Sequence, residues 1–249
     1  MSRLRAVLTA AAVSAALVAS GVLVAPAAQA AQSVPRATDL PPGLPYVHGD
    51  KNEDIAKAQR RLDWLGYSIE AKEANSGYFG RSTRKAVKEF QQKFFLDING
   101  QINKKTWKML DEMGNSVGVL PKKCLSEKVV LCVDHSAKLI RYVRNGKILV
   151  TADVRFGVPG LDTPVGDFRV YYRWEDATSG INGPNVPRAP MPYALFFNGD
   201  MAVHYSPTFA AYGYYPGGGS HGCINVGDLE KSQWIFYNTG VGTLVHIYW

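Results

Sequence analysis

Between residues 50 and 113 the apolar positions recur at helical spacing. Ile55, Ala58, Leu62 and Leu65 fall on one face, and Gly66 is placed to stop that helix. Ser82 is positioned to cap a second helix in which Ala86, Val87, Phe90 and Phe94 share a face. Asn103 is positioned to cap a short third one holding Trp107 and Leu110. From Lys128 onward the texture changes to short strands. Leu139 to Val143 and Ile148 to Val150 flank Asn145-Gly146, a strong hairpin signal. Asp167 to Arg173, Ala194 to Phe197, Ala202 to Tyr205 and Thr243 to Tyr248 are further strand candidates. One helix, about Asp228 to Tyr237, is capped by Asp228 and precedes the last strand. Trp174 to Pro192 is rich in Gly, Pro and Asn and reads as a long lid or binding loop. The expected fold class is α+β overall, a small three-helix bundle followed by a mainly-β, sandwich-like domain.

The N-terminus is read separately. Arg3 and Arg5 precede an uncharged apolar stretch from Ala6 to Val24, Pro26 breaks it, and Ala28-Gln29-Ala30 supplies a small-x-small cleavage pattern. Residues 1–30 therefore read as a signal peptide, with an uncleaved membrane anchor as the alternative. Residues 31–49 form a proline-rich linker, and a second break runs from Glu112 to Lys123. The 249 residues carry 28 Lys+Arg and 21 Asp+Glu. Loss of Arg3 and Arg5 with the leader leaves a net charge of +5, which suits an anionic wall polymer or membrane surface. The charge is too dispersed for a nucleic-acid partner.

Three cysteines in an exported chain leave one unpaired. Cys124 and Cys132 are eight positions apart and close a small loop, whereas Cys223 stands alone in the Gly-rich segment His204 to Asn225. A turn of small residues lets a nucleophile project and aims backbone N–H groups at an oxyanion. A thiol of ordinary pKa needs a base or a field favouring thiolate, and His204 and His221 are the candidates. Two other readings stand beside this one. Cys223 is a buried small hydrophobe, or His204, His221 and Cys223 ligate zinc with a water. No carboxylate pattern or H-E-x-x-H helix accompanies them, so no metal is expected.

Two family resemblances narrow these readings. Gln59, Leu62, Leu65-Gly66-Tyr67, Gly77-Tyr78-Phe79-Gly80, Phe90-Gln91, Asn99-Gly100 and Thr106-Trp107 resemble the peptidoglycan-binding domain of wall enzymes, over residues 50–113. Ser220-His221-Gly222-Cys223-Ile224-Asn225, with His204 upstream, is similar to the active-site motif of the L,D-transpeptidase (YkuD-like) catalytic domain. Thr163-Pro164-Val165-Gly166-Asp167-Phe168 and Met191-Pro192-Tyr193 resemble further segments of that family, and the likeness spans residues 126–249. Asn225 departs from the arginine of many relatives, which bears on substrate placement.

The resemblance implies Cys223 as nucleophile, His204 as general base oriented by the Tyr205 carbonyl, and His221 shaping the turn around the oxyanion. It implies donor contacts from Tyr193, Ser220 and Asn225, with Tyr205 and Gly222 lining the site. The implied activity is 3→3 cross-linking of peptidoglycan stem peptides through a Cys223 thioester with release of D-Ala, at the cell wall and without a cofactor. Carbapenem-type β-lactams are expected to acylate Cys223, and no stable membrane partner is expected. An L,D-carboxypeptidase using the same acyl-enzyme and a non-catalytic wall-binding protein are the alternatives.

Overall fold

The computed structural model describes residues 40–180 and 188–249. The leader expected over residues 1–30 lies outside the described residues. Three helices open the described chain. Helix α1 (Glu53–Trp64) starts at Asn52, whose side chain accepts from the Ile55 amide, and α3 (Lys104–Met113) starts at Asn103 in the same way with Thr106. Helix α2 (Arg81–Lys93) begins at Gly80 instead of Ser82. Its capping oxygens come from the distant Glu73, which accepts from the Ser82 and Thr83 amides at 3.2 and 2.8 Å. A side chain at Gly80 would collide with that carboxylate and force it to move, so glycine at the helix entry makes room for the Glu73 cap. Burial works against the Glu73 charge, but these hydrogen bonds outweigh it and hold the carboxyl down at about 2.

Two buried glutamines explain the spacing of the N-terminal motif. Gln59 donates to the Tyr78 carbonyl and to Thr83 and accepts from the Gly77 amide. Gln91 donates to the Gln101 carbonyl and Thr106 and accepts from the Gly100 amide. Each amide satisfies a loop that turns too tightly to satisfy itself. Residues 40–49 are also tied down. Tyr46 is buried and pairs with Ile102 through backbone hydrogen bonds of 3.1 and 3.0 Å.

The remainder is one mixed sheet of nine strands. The strands are β1 (Val129–Asp134), β2 (Leu139–Arg144), β3 (Lys147–Arg155), β4 (Gly166–Arg169), β5 (Tyr172–Thr178), β6 (Pro190–Asn198), β7 (Met201–Tyr205), β8 (Ile224–Val226) and β9 (Leu244–Tyr248), in the spatial order β4-β9-β1-β2-β3-β8-β7-β6-β5. Helix α4 (Pro207–Tyr212) follows β7, and α5 (Leu229–Asn238), capped by Asp228, follows β8. With α4 the described residues hold five α-helices, two more than the N-terminal bundle and one more than the sequence reading. Asn145 and Gly146, both at positive φ, turn β2 into β3.

The run Asp167 to Arg173 does not form one strand. It divides at Val170-Tyr171, and its halves β4 and β5 occupy the two ends of the strand order. Two residues bridge those ends only because the sheet curls until its edges meet, and Phe168 and Phe197 pack edge-to-face there at 5.5 Å. One curled sheet thus encloses the core that a sandwich would place between two. The stretch from Trp174 to Pro192 is not a continuous loop, because β5 and β6 pair through it from Trp174↔Ala194 to Thr178↔Pro190.

The helical unit is docked on the sheet. Ala137 and Leu139 belong to its apolar core, and a side chain at Gly66 would meet Thr151 at 2.8 Å. Lys93, fully buried, holds Asp153 of β3 at 2.6 Å. Arg141 of β2 donates to the Trp64 carbonyl and lies 4.5 Å over the Trp64 ring. Cys124 and Cys132 form a disulfide with Cα atoms 5.6 Å apart, fastening the segment before β1 to that strand.

Candidate functional site

Strands β7 and β8 run parallel, with Val203↔Ile224, His204↔Asn225 and Tyr205↔Val226 in register. Side chains alternate across such a pair. Val203, Ile224 and Val226 enter the main core, which leaves His204 and Asn225 on the other face. Cys223 stands one residue before β8 and joins Ala202, Ala177, Met191 and Ala194 in a small apolar cluster. Ala202 and His204 are two apart on β7, so Cys223 and His204 share one face, offset along the strands.

The turn carrying Cys223 is tied from several sides. Ser220 Oγ donates to the Cys223 carbonyl at 2.7 Å. Thr163 Oγ1 donates to the Gly222 carbonyl at 3.0 Å and accepts from the Gly157 amide at 3.1 Å. Backbone bonds from Ser220 to Phe156 and from Val158 to Ser220 anchor the approach. Gly222 takes φ +101°, and a Cβ there would lie 2.6 Å from the Met201 methyl. Only glycine meets both conditions.

Cys223 is the free cysteine among the described residues and is 8% exposed. Burial pushes its thiol above the usual range, while the Ala202 amide beside the sulfur favours the thiolate. The sulfur lies 3.8 Å from the Asp200 carbonyl. His204 is 6% exposed, and its Nδ1 sits 2.6 Å from the Tyr205 carbonyl oxygen. Burial drives the imidazole down to about 4, against the pull of the Tyr205 carbonyl and the Asn225 side chain. The ring is therefore neutral at pH 7. Because a carbonyl only accepts, the proton is assigned to Nδ1, and Nε2 keeps a lone pair. The resting pair is a neutral thiol and a neutral imidazole. It suits proton transfer coupled to nucleophilic attack better than a standing thiolate.

Of the other expected residues, the structure gathers some and disperses others. Asn225 lies beside His204, Gly222 shapes the turn, and Ser220 spends its hydroxyl inside it. Tyr205 contributes its carbonyl. The His221 side chain is exposed on the turn. Tyr193 takes φ +60° and turns toward α5, where its hydroxyl accepts from Gln233 and its ring packs on Phe236. That places it on the core side of β6, apart from the Cys223 cluster.

Comparison with known proteins gives a consistent answer. Residues 128–247 match the family model for the L,D-transpeptidase catalytic domain, YkuD. Residues 51–110 match the model for a peptidoglycan binding domain. The chain carries an L,D-transpeptidase catalytic domain. A similar fold occurs in an L,D-transpeptidase from Stackebrandtia nassauensis, 22% identical, covering 82% of this chain and 95% of that one at a TM-score of 0.54. An L,D-transpeptidase from Xylanimonas cellulosilytica is 24% identical and covers 84% of this chain and 100% of that one, at a TM-score of 0.48. The search of curated proteins finds no match.

Within the transpeptidase domain two residues that matter had drawn no role from the sequence. Thr163 belonged to the Thr163–Phe168 motif, but its bond to the Cys223 turn spans 59 positions and is invisible to local pattern. Arg155 fell outside the strands and motifs read from the sequence. It is buried, pairs in register with Asn225, and lies between Phe209 and Tyr215.

Proposed function

We propose that this chain is an exported, cell-wall L,D-transpeptidase that joins stem peptides 3→3 through a thioester on Cys223. The supporting observation is the placement of the free Cys223 thiol on the same sheet face as a neutral His204 whose ring is held by the Tyr205 carbonyl. In the donor step Cys223 gives its proton to His204 Nε2 and its sulfur attacks the carbonyl of the third stem residue. The tetrahedral oxyanion gathers against the turn amides, that of Cys223 among them, in the environment His221 shapes. Its collapse expels D-Ala, whose amine takes the proton back from His204. A side-chain amine on a neighbouring stem then attacks the thioester, passes a proton through His204, and restores the thiol.

Asn225 fits this cycle as a partner of the charged imidazole. Its Oδ1 is buried and has no hydrogen-bond partner among the described residues. When His204 becomes imidazolium, Nε2–H supplies the missing donor. Ser220 and Tyr193, expected to contact the donor, serve it indirectly by fixing the turn and β6. Carbapenem-type β-lactams, which present a strained acyl group to the same thiol, should acylate Cys223.

The test is incubation of the protein with a disaccharide-tetrapeptide and analysis of the muropeptides. A cross-linked dimer formed with loss of D-Ala supports transpeptidation. Tripeptide alone supports an L,D-carboxypeptidase, in which water takes the thioester. No product from folded protein would favour a wall-binding protein.

A further inference from the structure

Arg155 is an uncommon arginine. It is 5% exposed, and no salt bridge among the described residues reaches it. Its Nε is buried without a hydrogen-bond partner, and its other bonds are long, 3.4 Å to the Gly213 carbonyl and 3.2 Å to Thr208 Oγ1. A buried charge is tolerated when paired, and this one is not.

Arg155 lines a pocket of about 410 Å³ together with Lys138, Phe95, His135, Tyr215 and Trp249. Lys138 also lacks a carboxylate. Its ammonium donates to the Lys93 carbonyl and lies 5.1 Å over the rings of Phe95 and Tyr214. The carboxylate acting on Lys138 is Asp153, which Lys93 holds at 2.6 Å, while Asp134 and Asp162 act on His135 and form no ion pair with Arg155 or Lys138 among the described residues. Arg155 and Lys138 are thus left without an ion pair among the described residues. Burial holds His135, stacked on Phe156 at 4.2 Å, below its usual range, so it adds no neutralising or competing charge.

The pocket sits where the two family segments meet. Phe95 follows α2 of the helical unit, and Phe156, Gly157 and Gly218 form the opposite wall. Gly157 pairs with Ser220, whose hydroxyl holds the Cys223 turn. None of the Cys223 cluster lines the pocket, so it is separate from the thiol crevice yet shares a wall with the segment that supports it.

We propose that Arg155 and Lys138 form a carboxylate-binding subsite for a peptidoglycan stem peptide, apart from the crevice at Cys223. A stem carries free carboxylates next to aliphatic surface. The paired cations answer the first, and the aromatic walls answer the second. This rests on the reading of the chain as a peptidoglycan transpeptidase, and its test is therefore a binding measurement read independently of turnover.

The full-length Cys223→Ala protein is titrated calorimetrically with a synthetic tetrapeptide stem bearing free carboxylates, and with the same peptide amidated at each of them. The free peptide should bind about tenfold tighter, the effect of one charge-assisted hydrogen bond. Arg155→Gln and Lys138→Gln should each erase most of that preference. Arg155→Lys, which keeps the charge, should retain part of it and guards against a folding artefact in Arg155→Gln. Equal affinity for the two peptides, or a preference that survives in Lys138→Gln and folded Arg155→Gln, would overturn the subsite. Acylation of wild-type Cys223, followed separately by mass, tells the two readings apart. Carboxylate preference without acylation defeats the transpeptidase assignment alone, and acylation without carboxylate preference defeats the subsite alone.

Discussion

His204 and Asn225 stand directly opposite each other across the parallel β7–β8 pair, and the buried Asn225 Oδ1 has no hydrogen-bond partner among the described residues. An orphaned acceptor beside a neutral base weighs against the resting state and is relieved when that base takes a proton. Asn225→Ala should slow Cys223 acylation about tenfold to a hundredfold, in keeping with the loss of a hydrogen bond to a charged group. Thermal stability should hardly fall, because the resting acceptor makes no bond. Unchanged acylation with a marked loss of stability would assign Asn225 a purely structural role.

The neutral His204 has a consequence for stability against pH. Its folded-state pKa of about 4 lies below the usual value of 6.5. Between those values the unfolded chain binds a proton that the folded chain refuses. The His204 contribution to stability should therefore be intact above pH 6.5, decline as pH falls toward 4, and level off below. The linkage amounts to roughly 3 kcal/mol. Urea unfolding from pH 4 to 7 measures it, and His204→Gln should flatten that slope.

The thiol gives a second pH signature. Burial raises Cys223, so the free enzyme should react slowly with iodoacetamide at pH 7 and faster as pH rises past 9. A rate already at plateau near neutrality would indicate a standing thiolate–imidazolium pair instead.

Lys93 and Asp153 should respond unequally to mutation. Lys93 is fully buried, whereas the Asp153 side chain is 39% exposed. Asp153→Ala strands a buried ammonium and should cost about 3–5 kcal/mol. Lys93→Met leaves a carboxylate with access to water and should cost clearly less. Urea titrations of the two variants compare them directly.

Reduction of the Cys124–Cys132 disulfide should lower stability by roughly 2–3 kcal/mol, since the bond closes a short loop far in sequence from the nucleophile. Cys223 acylation, followed in Cys124→Ser, should persist below the lowered melting point.

What could be read from the sequence was what local spacing encodes. The Asn103 and Asp228 side chains cap the helices they precede, Asn145-Gly146 turns its hairpin, and Cys223 sits in its glycine turn. The Glu73 cap of α2 escaped because it comes from eight residues before Arg81 and displaces Ser82 from the role its position offered. Strand β5 beyond Arg173 escaped because it is an edge strand, largely exposed, whose Glu175 and Asp176 break the apolar alternation that marks a half-buried strand. Tyr193 takes a positive φ and packs on α5, a local twist that residue type does not announce. The lone charge of Arg155 emerges only when the fold shows that no carboxylate reaches it.

The central claim is a thioester on Cys223 with His204 as its base. It is tested most directly by intact-protein mass spectrometry of wild type, Cys223→Ala and His204→Ala after brief exposure to a disaccharide-tetrapeptide. Wild type should carry a transient adduct of donor mass minus D-Ala, mapped to the peptide containing Cys223. Cys223→Ala should carry none, and His204→Ala should acquire it far more slowly. An adduct of the same mass on the folded Cys223→Ala protein, or cross-linked product without any acyl-enzyme dependent on Cys223, would contradict the account.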